Sequence, residues 1–220
     1  MVTLNEQNKI NINVENYFAT QIFYCDASSY LNIVNNVADD FLNKTKKTEE
    51  LNEIWPVYMT ENIYNDLRIK DFVSFIGNTA WDILKSQGYN MQNKNVSFTE
   101  MWIQEHHKTS SMEQHSHGRG AQIVGFYCLN GEEGHPRILF HDPRLLKTQI
   151  ELSQENETIV SNASNLINFM PKPGMLIFTN SWLAHSFSRN SSNKPFKFIH
   201  FNIVVNDLES ISQQCEAEII

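Results

Sequence analysis

The sequence predicts a mainly β domain of the sandwich or jelly-roll kind preceded by two helices, and three observations carry that reading. After Gly88, short runs rich in Val, Ile, Phe and Tyr follow one another across polar or glycine-containing turns, the rhythm of antiparallel β structure. Before Gly88 the apolar residues recur instead at steps of three and four, the period of an amphipathic helix. The chain has 220 residues, 41% of them hydrophobic and 14 of them Phe. That is enough for one buried core and little more, so a single domain over 1–220 is expected.

The elements follow in order. Residues 1–16 are polar and Asn-rich, and the domain is expected to begin near Asn16. NYFATQIFYCD gives a short aromatic strand, after which Asp26 and Ser28 are residues that cap helices. Leu31, Ile33, Val34, Val37, Ala38, Phe41 and Leu42 mark the first helix, and charged KTKKTEELNE follows it. Ile69, Phe72, Val73, Ile76, Ala80, Ile83 and Leu84 mark the second, which closes near Gly88. The expected strands are SFTEMWIQEHH, AQIVGFYCLN, RILFHD, GMLIFTN and FKFIHFNIVV, with LNGEEGHP and PKPG as turns. Residues 16–90 are thus an N-terminal strand with supporting helices, 96–206 the β core, and 207–220 a tail or closing helix. The polar segment 145–170 reads as a long excursion beside the site that selects substrate as a lid.

A net charge of −8 works against general nucleic-acid binding, which needs a basic face for a polyanion. Cys25, Cys128 and Cys215 are dispersed and odd in number, without a CxxC pair, which suits a reducing compartment. No apolar run approaches the ~20 residues of a membrane span, and the N-terminus lacks the pattern of a secretory signal. A soluble cytoplasmic protein is expected.

The sharpest local feature is Gln114-His115-Ser116-His117. In an extended strand residues i and i+2 point the same way, so His115 and His117 would face one pocket and chelate a divalent metal. His185, in GMLIFTNSWLAHSF, offers a third imidazole, and such a facial set leaves coordination positions open for substrate or dioxygen. The competing reading is two surface histidines and one buried one. His106, His107 and His135 read as solvent-facing, and Cys128 as a small buried apolar residue.

The run from Trp102 to Asn202 resembles a family of 2-oxoglutarate- and iron(II)-dependent oxygenases of marine bacteria and phages, related more distantly to prolyl hydroxylases. The matching segments are Met101-Trp102-Ile103-Gln104, Gln114-His115-Ser116-His117, Val124 to Leu129, Asp142-Pro143-Arg144, Pro173 to Phe178, Ser181 to His185, and Phe201-Asn202. The resemblance implies a double-stranded β-helix, a cupin-like jelly roll, with His115 and His185 as iron ligands on paired strands. In the wider superfamily a carboxylate stands where this chain has His117. Either His117 completes a three-histidine variant or Asp142 supplies the carboxylate, and we favour His117. The implied cofactors are Fe(II), 2-oxoglutarate and O2, and the implied reaction is hydroxylation of an unidentified small-molecule or peptide substrate. A phage-encoded protein would work in the host-cell cytoplasm.

The co-substrate anchor departs from the family pattern. Phe196 stands where related sequences carry an arginine on the last strand. Strand alternation places Phe196, Phe198, His200 and Asn202 on one face, taken as inward, and Lys197 on the other. Lys194 and then Arg144 are the substitutes we nominate, because a buried carboxylate needs a charge-assisted partner. Tyr127, Asn202 and Gln104 are further candidates for co-substrate or substrate contacts. Two other readings stand beside the oxygenase: a cupin-like metalloenzyme that does not use 2-oxoglutarate, and a non-catalytic jelly-roll binding or virion protein.

Overall fold

The computed structural model describes residues 2–3, 11–118 and 120–208; most of the expected C-terminal tail, with Cys215, lies outside the described residues. In chain order the elements are β1 (Val2–Thr3), β2 (Asn11–Ile12), β3 (Ile22–Asp26), α1 (Leu31–Thr48), β4 (Val57–Met59), α2 (Lys70–Ser86), β5 (Lys94–His106), β6 (Met112–His115), β7 (Ala121–Cys128), β8 (Ile138–His141), β9 (Leu166–Phe169), β10 (Met175–Asn180), β11 (His185–Phe187) and β12 (Phe196–Asp207). Strands β1 and β2 pair with each other. The rest form a six-stranded sheet in the order β3-β10-β7-β12-β5-β4 and a four-stranded sheet in the order β6-β11-β8-β9. All pairings are antiparallel, and the architecture is the double-stranded β-helix with N-terminal helices.

Both helices form where the apolar period predicts. Helix α1 buries Val34, Val37, Ala38 and Leu42, and α2 buries Phe72, Ile76, Ala80, Ile83 and Leu84. These stripes pack on the outer face of the six-stranded sheet, against Met101, Ile103, Ile123, Tyr127, Ile199, Phe201 and Ile203. Burying each large apolar side chain contributes roughly 1.5–3 kcal/mol. The lysine-rich KTKK extends α1 instead of leaving it: Lys46 reaches 2.8 Å to Glu105, a buried carboxylate on the helix-facing side of β5. Asp26 accepts the Ser28 N–H at 2.8 Å ahead of a short 3-10 turn whose N-cap position is Ala27, and α1 itself has no side-chain cap.

The inward face of the large sheet meets the small sheet in a second core of Val124, Phe126, Cys128, Ile138, Phe140, Ile177, Leu183, Phe187, Phe196 and Phe198. Alternation along β12 is as the sequence predicts: Phe196 and Phe198 point inward, and Lys197 points out to Asp39 on α1 at 2.8 Å. Two glycines are demanded by this packing. A Cβ on Gly125 would sit 2.1 Å from the Phe201 ring and 2.5 Å from the Ile177 carbonyl. Gly174 turns the PKPG corner at φ +81° and lies so close to Ser28 that a Cβ would meet its Cα at 2.6 Å. Within 145–165, Leu145–Ile150 form a 3-10 helix, and Leu145, Leu146, Ile150, Leu152, Ile159 and Val160 are exposed.

Candidate metal site

His115 closes β6, and its partner across the ladder is His185, the first residue of β11. Directly opposed residues of an antiparallel pair bring their side chains together. His117 arrives differently: it lies beyond the end of β6, where its backbone N–H donates to the Ser181 carbonyl at 2.9 Å. The three rings converge, with centroids 4.5 Å apart for His115 and His185, and 5.1 Å for each pair involving His117. Their ligand nitrogens all lie within 4.8 Å of one another.

The outer ring nitrogens are tied to backbone. His115 Nδ1 stands 2.8 Å from the Glu113 carbonyl and His185 Nδ1 3.0 Å from the Leu183 carbonyl. A carbonyl only accepts, so each Nδ1 carries the proton and each Nε2 presents its lone pair to the cluster. His185 Nε2 stands 3.2 Å from His117 Nε2, a separation that a metal with bonds of about 2.1 Å spans at roughly a right angle. Burial, with repulsion from His115, pushes His117 down to about 4. Burial outweighs the Leu183 hydrogen bond at His185 and pushes it down to about 3. Both rings are therefore neutral at neutral pH, the state a metal ligand requires. Phe126 and Phe140 pack on His185 and shield it from water.

The other predicted site residues are placed as follows. Asp142 turns away from the histidines: Arg144 grips it at 2.9 and 2.7 Å and Lys147 at 2.8 Å, and these partners hold its carboxyl well below the usual range. Arg144 is 57% exposed and committed to that pair. Lys194 is 74% exposed and paired with Glu132 at 2.9 Å, because the chain turns after Asn190 before β12 begins. Tyr127 lies on the helix-facing side of β7, its hydroxyl donating to the Ala27 carbonyl at 3.0 Å and its ring packing on Phe72. The placement of Arg144, Lys194 and Tyr127 corrects their expected roles as co-substrate contacts.

Gln104 and Asn202 do face inward, as predicted, on paired strands β5 and β12. The reading of His106 and His135 as solvent-facing is also corrected. His106 is fully buried between Gln104, Phe187 and Phe198, and desolvation pushes it down to about 4. His135 is buried against Phe196. Sequence reasoning missed Glu100, whose carboxylate, with ring nitrogens of His117 and His200, forms a second group within 4.8 Å. Its signal was available: Glu100, Trp102, Gln104 and His106 alternate with the apolar Met101 and Ile103 along one strand.

Three imidazoles converge at one end of a double-stranded β-helix, a donor set that could hold a metal ion. Residues 100–202 match the family model described as "Putative 2OG-Fe(II) oxygenase". A search of curated protein sequences finds no match. Among solved structures the chain is similar to HygX from Streptomyces hygroscopicus with nickel and 2-oxoglutarate bound, at a TM-score of 0.54 and 11% identity over 84% of this chain and 83% of that one. It is similar to a Pseudomonas putida prolyl-4-hydroxylase at 0.57 and 8% over 84% and 92%, and to AviO1 from Streptomyces viridochromogenes Tue57 at 0.58 and 9% over 84% and 90%. At these identities the structural likeness speaks for the fold. The family match spans all three histidines and, with the fold, supports an oxidoreductase. No described helix is long and apolar enough to cross a membrane.

Proposed function

We propose that His115, His117 and His185 hold iron(II), and that the protein uses 2-oxoglutarate and dioxygen to hydroxylate a C–H bond of a small-molecule or peptide substrate. The observation that carries this reading is the convergence of the imidazoles, two of them with Nδ1 tied to backbone and Nε2 left for a metal. When bound, iron with 2-oxoglutarate supplies the oxidation of substrate by dioxygen, with succinate and CO2 as co-products. The chain's own residues set the conditions. Three neutral ligands bring no negative charge, so charge balance falls to the carboxylates of the co-substrate. The Phe126, Phe187 and Phe198 rings exclude water from the interior.

The inward-facing residues of β5 and β12 that flank this interior include no Lys or Arg among the described residues. They do include the Trp102 Nε1–H donor, buried and without a hydrogen-bond partner. A buried polar atom left unpaired costs about 1–3 kcal/mol, and a bound carboxylate would offset that cost. We assign the far carboxylate of 2-oxoglutarate to this uncharged donor. The same want of a cation favours, as a second reading, a cupin-like metalloenzyme that does not use 2-oxoglutarate. One assay separates them: iron-loaded protein with 2-oxoglutarate, O2 and reductant should release succinate, and His185→Ala should release none. Protein that retains iron yet forms no succinate with any substrate mixture would favour the second reading.

A further inference from the structure

His117 borders a cavity of about 450 Å³ lined also by Glu100, Ser116 and Asn202, within the size range of small-ligand sites. Among the described residues its lining contains one formally charged residue, Glu100, and no Lys or Arg. Glu100 is half-buried, accepts a hydrogen bond from Asn202 Nδ2, and makes no ion pair among the described residues. That hydrogen bond leaves Asn202 Oδ1 buried and unpartnered, on a side chain only 6% exposed. His200, 3% exposed and stacked on His117 with centroids 4.8 Å apart, likewise has a buried, unpartnered Nε2. The subsite therefore offers a carboxylate and an amide oxygen, with no cation among the described residues to meet them.

Unmet acceptors beside a negative charge select a ligand rich in N–H donors and positively charged. We propose that Glu100 and Asn202 form the substrate-recognition subsite and receive a protonated amine or guanidinium, holding the substrate beside His117. The inference rests on the reading that the triad holds the metal. The competing occupant is a second metal ion, because Glu100, His117 and His200 also have ligand-atom spacing. An ammonium is favoured because a neutral imidazole has one lone pair, so His117 holding the triad metal would leave a second metal only Glu100 and His200 of that group.

The test uses full-length protein loaded with manganese(II), whose metal content is measured first, and follows the relaxation of n-butylammonium and 1-butanol protons by NMR. Wild type should hold one manganese per chain and relax butylammonium about tenfold or more above butanol, as expected for a charge-assisted contact. Glu100→Gln should keep its metal and lose the preference, and Glu100→Asp should keep both. Equal relaxation of the two probes in wild type, or a preference that survives in Glu100→Gln, overturns the proposal. So does loss of manganese in Glu100→Gln, or a second manganese per wild-type chain, because Glu100 would then be a metal ligand. Wild type that holds no metal overturns the triad reading itself, an outcome that the first measurement separates from the others.

Discussion

The two faces of the β5–β12 ladder are built from neighbouring residues and opposite chemistry. Toward the helices stand Met101, Ile103, Ile199, Phe201 and Ile203, all fully buried and apolar. Toward the small sheet the same two strands present Glu100, Trp102, Gln104 and His106 against Asn202, His200, Phe198 and Phe196. Four of the seven buried side-chain atoms that lack a hydrogen-bond partner among the described residues sit on this face, at Trp102, His106, His200 and Asn202. Natural cores avoid such atoms because each costs stability. Their concentration beside the histidines marks the face as built for a ligand, while the opposite face is built for packing.

Substitutions on the two faces should therefore fail in different ways. The largest effect is expected at the ligands: His185→Ala should weaken iron binding at least about a hundredfold, measured by anaerobic titration, while His107→Ala should bind normally. On the helix side, Phe72→Ala should cost about 3–5 kcal/mol in denaturant unfolding and leave iron stoichiometry unchanged. A Phe72→Ala protein that folds stably but loses iron would erase the distinction between the faces.

Acid should separate the faces further. His106 is buried and its pKa is pushed from 6.5 to about 4, so the unfolded chain takes up its proton first as pH falls. Stability of the metal-free protein is then full above pH 6.5 and declines toward pH 4, with His106 contributing on the order of 3 kcal/mol to the decline. Urea unfolding across that window should show a shallower slope for His106→Phe, and an unchanged slope would contradict the assignment. The smallest effect is expected at Asp142→Ala. Iron binding should persist, and proteolysis within 145–165 should quicken as Arg144 and Lys147 lose their shared anchor.

Periodicity revealed much of this in the sequence. The apolar steps of three and four located both helices, strands β5, β7, β8, β10 and β12 were visible as runs, and alternation along β12 assigned its inward residues correctly. His115 and His185 could be named because a paired ladder and a family resemblance pointed to the same residues. Short strands such as β4 and β11, of three residues each, carry too little pattern to be read. Tyr127 was misplaced because β7 is covered on both faces and is apolar or Gly from Ile123 to Cys128, so its sequence holds no alternation to fix which side is in. His106 was misjudged because the neighbouring His107 and Lys108 make the segment look solvated, when strand alternation in fact buries one histidine and exposes the other. Lys194 failed as an anchor because Pro195 breaks the strand parity that the nomination required.

The most direct test of the central claim is anaerobic titration of iron-loaded protein with 2-oxoglutarate, followed by visible absorption. If the triad holds iron(II) with positions open for a chelating keto acid, a metal-to-ligand charge-transfer band should grow with 2-oxoglutarate, saturate at one equivalent per iron, and be absent in His115→Ala and His185→Ala. Iron-loaded wild-type protein that shows no such band at millimolar 2-oxoglutarate would contradict the account.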